Sequence, residues 1–240
     1  MAARSGRSQR RTEALSRERI VEAAVELLDT VGEDGLTFRT LTERLATGPG
    51  AIYWHVANKG ELLGAATDAV VAAALAVEPA GSPDTPQDGI RAVALGLFEA
   101  IEEHPWLATQ LATQISHSPW VPVAPRLFEN IGRQVRALGV PEAGWFTSTS
   151  ALMHYILGAA GQNAANTASA SASASTLGPD VDRARFLDAV STAWEELDPD
   201  DYPFTRAVAS QVRGHDDREQ FLAGIDLVLA GVTTLHPMNG

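Results

Sequence analysis

The sequence predicts an all-α protein: an N-terminal three-helix helix-turn-helix domain, joined by a connecting helix to a larger all-helical domain. Three observations carry this. The 240 residues are 45 % apolar and alanine-rich, with no sustained alternation of Val, Ile and Thr to mark a strand. Apolar residues recur at three- and four-residue spacing along most of the chain. Residues 36–63, LTFRTLTERLATGPGAIYWHVANKGELL, read as a short helix, a tight break, a second short helix carrying Tyr53, Trp54 and His55 in a row, and a capped helix starting near Lys59.

The elements follow in order. Ser16 caps a first helix, with Leu15 and Ile20 spaced as a hydrophobic staple. Ile20, Ala24, Leu27, Leu28 and Val31 form its stripe, and Gly32 and Gly35 end it. The second helix starts at Thr37 and turns Leu41 and Leu45 inward. After Ala46-Thr47-Gly48, Pro49 opens the third helix at a position that proline suits. Ile52 and Val56 anchor that helix, leaving Ala51, Tyr53, Trp54 and His55 on its other sides. Asn58-x-x-Glu61 starts the connecting helix, 59–77, whose apolar face is Leu62, Ala66, Ala69, Val70, Ala73 and Val77.

The Pro-rich run at 78–88, EPAGSPDTPQD, marks the domain boundary. This divides the chain into an Arg-rich arm (1–15), the helix-turn-helix domain (16–63) and a second domain (78–240). Helices are expected there at about 88–103, 106–116, 123–138, 142–165, 181–197, 202–213 and 217–235. The Ala/Ser tract at 167–179 carries nothing bulky enough to bury a face and reads as a mobile loop. Asp217 and Gln220 cap the last helix. Its stripe of Phe221, Ile225, Val228, Val232 and Leu235, widened by Leu222 and Leu229, suits two surfaces, its own core and a second copy of the chain. Phe221, Leu222, Ile225, Val228, Leu229 and Val232 are therefore the expected homodimer interface.

Composition narrows the function. Without cysteine there is no disulfide, thiol catalysis or zinc-thiolate site. No apolar run reaches 18 residues, and the charged N-terminus lacks the apolar core of a secretory signal, so a cytoplasmic protein is expected. The net charge of −12 lies wholly outside the head: residues 1–63 hold nine Lys/Arg and nine Asp/Glu, and residues 64–240 hold nine Arg and 21 acids. In the first twenty residues six arginines face only Glu13 and Glu18, an arm suited to phosphates or a minor groove, or else a solvated tail.

Tyr53-Trp54-His55-Val56, followed by Asn58-Lys59 and preceded by Leu36-Thr37-Phe38-Arg39, resembles the TetR family of one-component regulators, and within it the tetracycline repressor subgroup. A weaker likeness covers Asp201-Tyr202-Pro203 and 221–231 near the C-terminus. The resemblance implies a homodimer on a near-palindromic, double-stranded DNA operator, with a small-molecule effector in the second domain. It makes Arg39 a reader of base or phosphate, against a surface ion pair with Glu43. It makes Tyr53 and His55 phosphate contacts, with Trp54 along the sugar edge, against core packing for the aromatics and helix capping for His55. Lys59, the only lysine, meets a phosphate at a helix N-terminus. Thr37 and Thr40 add hydroxyl bonds. The chain departs from the subgroup at Gly48-Pro49-Gly50-Ala51: small residues that permit close backbone approach, with Pro49 and Ala51 able to touch thymine methyls.

Effector candidates fall into clusters: His104, Trp106, Gln110, Gln114, His117 and Trp120; then Trp145, Phe146, His154 and Tyr155; with Phe98 and Phe128 as walls. Ordinary core packing is the competing reading. No cofactor is expected. A magnesium-chelated effector is conceivable through His104, His117 and His154, although magnesium prefers oxygen ligands. The expected function is a repressor released by its effector; an activator or a corepressor-dependent regulator of the same fold is the alternative. An all-helical enzyme with a DNA-binding appendage lacks any supporting motif, and a general DNA-packaging protein conflicts with the acidic 64–240 region.

Overall fold

Helices, with no strand among the described residues, make up the computed structural model, which describes residues 15–76, 84–117, 122–172 and 179–236. The expected arm at 1–15 lies outside them except for Leu15. The chain divides into two compact units between Ala66 and Thr67.

In the first unit, α1 (Arg17–Gly35) starts as expected, with the Ser16 hydroxyl accepting from the Arg19 N–H at 3.3 Å. Gly32 takes φ +69°, a conformation glycine adopts without steric cost. It breaks the helical course just after Val31, which stays exposed although the stripe predicts it buried. In α2 (Phe38–Leu45), Thr37 and Thr40 form a reciprocal capping box. Ala46 closes α2 in the left-handed region (φ 50°), so the break rests on alanine, not glycine. In α3 (Pro49–Tyr53), proline stands in the first turn. Trp54 (φ −67°, ψ −26°) caps α3 and His55 follows it, so the helix ends slightly earlier than expected. The His55 and Val56 N–H groups both return to the Ile52 carbonyl, at 2.9 and 3.0 Å, and this tight turn ends the helix. Ile20, Leu28, Leu36, Leu41, Ile52, Val56 and Leu62 fill the core between these helices.

α4 (Lys59–Ala76) is capped by the Asn58 side chain, which accepts from the Glu61 N–H at 2.9 Å. Its buried face differs from the predicted one. Leu63, Thr67 and Val71 are buried beside Leu62, Ala66 and Val70, whereas Ala69 and Ala73 are exposed. Burial scales with apolar area, about 25 cal/mol per Å², so Leu63 and Val71 outweigh two alanines.

The second unit holds the rest of α4 and α5 (Pro86–Glu103), α6 (Trp106–His117), α7 (Val123–Ala137), α8 (Glu142–Ala172), α9 (Pro179–Glu195), α10 (Pro203–Arg213) and α11 (Asp217–Leu235). All seven expected helices are present. α5 begins at Pro86, capped by Thr85, inside the predicted boundary run, much of which lies outside the described residues. α8 runs through 167–172, where a loop is expected; alanine's helix propensity carries it. Residues 173–178 lie outside the described residues. Asp216, not Asp217, caps α11, accepting from the Glu219 N–H at 2.7 Å. Asp217 is instead held by Arg183 at 2.8 Å and His215 at 2.9 Å. Tyr155 of α8 lies so close to α11 that a Cβ on Gly224 would overlap its phenol. No helix among the described residues is long and apolar enough to cross a membrane.

Candidate nucleic-acid interface

The first unit presents one continuous edge from α2 and α3. Trp54 is 89 % exposed and Tyr53 54 % exposed, so neither aromatic belongs to the core. The Tyr53 ring stacks on Phe38, the first residue of α2, with centroids 4.6 Å apart. Phe38 therefore fixes the tyrosine without hiding it. The sequence reading missed this support, and an aromatic at the first helical position was its only signal. Gly48, Pro49 and Gly50 are all exposed, and a Cβ on either glycine would meet nothing within 4 Å. The tip of α3 thus offers its backbone at close range. Ala51 and His55 are half-buried behind it.

The polar candidates have intramolecular partners. Arg39 donates to Glu43 at 3.0 Å, the alternative already weighed, yet its side chain is 86 % exposed. An exposed i,i+4 pair contributes about 0.3–0.5 kcal/mol, far below a bidentate guanine contact at about 1–3 kcal/mol, so the pair can be exchanged for a base edge. The Thr40 hydroxyl donates to backbone at Gly35 and Thr37 (3.0 and 2.9 Å) and accepts from the Thr37 N–H, which commits it to the capping box. Lys59 Nζ donates to the Glu33 carbonyl at 2.6 Å, anchoring the α4 start to the end of α1. An ammonium has two further donors for a phosphate. Glu18 stands at the start of α1. Its carboxyl is held below the ordinary range, first by a backbone hydrogen bond at the helix N-terminus and then by the Ser16 hydroxyl.

The described effector candidates in the second unit make several separate sets of contacts. Phe98 and Tyr155 meet Phe221 in one aromatic cluster, with ring centroids 4.7 and 6.0 Å from it. The Tyr155 hydroxyl donates to the Phe221 carbonyl at 3.1 Å, and burial raises its pKa. Gln110 and Gln114 are buried next to Thr67 of α4. His104 and Trp106 pair at the joint between α5 and α6. Phe128 lines an open groove of about 420 Å³ with Ala124, Pro125, Glu129 and Met153. Phe146, at its edge, is 72 % exposed. Trp145 donates from Nε1 to the Val140 carbonyl at 2.6 Å and carries Arg136 over its ring. His154 is exposed on α8. Trp120 and the His117 side chain lie outside the described residues. No group of three or more metal-ligating side chains occurs among the described residues, which do not include the His117 side chain.

The stripe expected to pair two copies serves its own protomer. Phe221, Ile225, Leu229 and Val232 are buried, and Leu222 and Val228 are half-buried. The exposed face of α11 is the other one, Ala223, Leu227 (75 % exposed), Ala230 and Thr234. α8 leaves a similar row exposed, with short side chains at Thr147, Ala151 and Gly158 and the larger His154 among them.

Comparison with known proteins follows the same division. Residues 20–66 match the model of bacterial regulatory proteins of the tetR family, and residues 78–236 match the tetracyclin repressor-like C-terminal domain. The structure of the transcriptional regulator SCO7222, a TetR from Streptomyces coelicolor, is 71 % identical and superposes with a TM-score of 0.82, covering 93 % of this chain and 100 % of that one. An HTH-type transcriptional regulator of Saccharopolyspora erythraea is 32 % identical over 144 residues, which span 60 % of this chain and 59 % of that relative's length. The structure of Mycobacterium smegmatis BioQ with its double-stranded DNA operator is 25 % identical, with a TM-score of 0.56, covering 91 % and 98 % of the two chains.

Proposed function

The chain belongs to the TetR family of bacterial regulatory proteins, and from that premise we propose that it is a homodimeric transcriptional repressor whose hold on a near-palindromic operator is set by a small-molecule effector. One observation carries the DNA part: Trp54, Tyr53 and Arg39 stand exposed beside a bare Gly48-Pro49-Gly50 tip. Large aromatics left in water by a folded domain mark a contact surface. The tip's small size lets the recognition helix seat deeply, so that Arg39 reaches a base edge while Tyr53, His55 and Lys59 meet phosphates. That BioQ was solved on its operator agrees with this reading.

A five-residue recognition helix reads too few base pairs to select a site alone. Two copies about 34 Å apart supply the rest. We assign the pairing to the outer faces of α8 and α11, around Leu227, because short side chains there permit close helix approach and the Phe221 stripe is already used. Effector binding falls to the interior of the second unit. Its buried polar side chains among the described residues, such as Gln110, Gln114, Thr149 and Asn163, are uncharged. A buried charge needs a partner there, so the effector is a mostly apolar molecule bearing neutral oxygen groups. The work is cytoplasmic regulation without catalysis, in line with the regulators it matches.

The test is selection of bound duplexes from a random pool. The proposal predicts two inverted half-sites about one helical turn apart. Recovery of unrelated duplexes, bound only at low salt, would contradict it.

A further inference from the structure

α4 enters the second unit at Thr67 and Asp68, and each of these adjacent residues is held by a different helix. Thr67 is fully buried, and its hydroxyl accepts from Gln114 Nε2 of α6 at 2.8 Å. The second N–H of the same amide points to Gln110 Oε1, one turn back along α6, at 3.2 Å. Asp68 receives two parallel hydrogen bonds from the Arg126 guanidinium of α7, each 3.2 Å long.

Packing alone does not require a hydroxyl at Thr67. Its neighbours along α4 are Leu63, Val70 and Val71, and valine has the same shape. What the hydroxyl adds is direction. A hydrogen bond weakens steeply with angle and distance, whereas apolar contact is non-directional, so a turn or slide of α4 is resisted first at this bond. Both amide hydrogens of Gln114 are engaged. A further acceptor can take one only by displacing Thr67 or Gln110.

We propose that Gln114 is the positioning residue of the regulatory response: it holds α4 through Thr67, and an effector carbonyl or hydroxyl oxygen that accepts from its amide releases the helix. Arg126 on Asp68 is the second, more exposed hold. The inference rests on the effector-responsive reading above.

The test needs no effector. Thr67→Val and Gln114→Leu remove the two ends of the bond, and Ser191→Ala removes a comparable buried bond, from the Ser191 hydroxyl to the Ala209 carbonyl, far along the chain from α4. Hydrogen exchange over 67–76 and affinity for the selected duplex are read in all three, with circular dichroism to confirm folding. The expected result is exchange at least about tenfold faster and duplex binding roughly fivefold or more weaker in the first two variants, with neither change in Ser191→Ala. The double variant Thr67→Val/Gln114→Leu falls no lower than either single one, because both break the same bond. Unchanged exchange, additive losses, or equal losses in Ser191→Ala overturn the proposal. If the wild type selects no duplex, the DNA-binding reading fails, and the exchange comparison still decides whether Gln114 holds α4.

Discussion

Among the surfaces that leave apolar side chains in water, two are built from different chemistry. The edge of α2 and α3 pairs aromatics with Arg39 and Lys59 around a glycine-rich tip. The outer faces of α8 and α11 carry Leu227 and His154 among alanines, glycines and threonines, with little charge. The first suits a charged, grooved polymer, where ring faces lie along sugars and cations meet phosphates. The second suits a copy of itself, where short side chains let helices approach. Exposure alone therefore does not name a partner; the polar residues around the exposed group do.

Breaking the second surface has the largest expected effect. Leu227→Arg places a charge at its centre. We expect a monomer by sedimentation and loss of at least about a thousandfold in affinity for the selected duplex, towards non-specific binding. A dimer that persists would move the interface elsewhere. Gly224→Ala strikes between α8 and α11, where the new methyl overlaps the Tyr155 phenol. Urea unfolding should show a loss of about 1–3 kcal/mol, typical of overpacking.

On the edge proposed to meet DNA the effects are smaller and differ in kind. Arg39→Ala should cost about 1–3 kcal/mol at one base position only, read by competition with substituted duplexes. Lys59→Ala should weaken all duplexes alike and lower the slope of log affinity on log salt by about one. If Arg39→Ala also acts alike on all sequences, the arginine contacts phosphate and the glycine-rich tip carries the reading.

The same contrast explains what could be read in advance. The helix-turn-helix was legible because its signals are local: the Ser16, Thr37 and Asn58 caps, proline at 49, and inward residues three and four apart. Helix edges in the second unit were legible for the same reason. The partner of each face was not. Periodicity marks Phe221, Ile225 and Val232 as one apolar stripe but cannot say whether it meets its own core or another chain. Leu227 lies off that stripe and looks like a stray surface leucine. Gln114 and Thr67 are 47 residues apart in sequence, and nothing local joins them. The start of the Ala/Ser tract, 167–172, misled because its composition suits both a linker and a helix, and its attachment to α8 favours the helix.

The most direct check is the emission of Trp54, whose ring is the most exposed among the large apolar side chains described. Titrating the selected duplex into the wild type and into Trp54→Phe isolates its signal. Contact between the α3 edge and DNA predicts a change in emission that saturates with binding and disappears in Trp54→Phe. Tight duplex binding with no contribution from Trp54 would mean that DNA is held by another face.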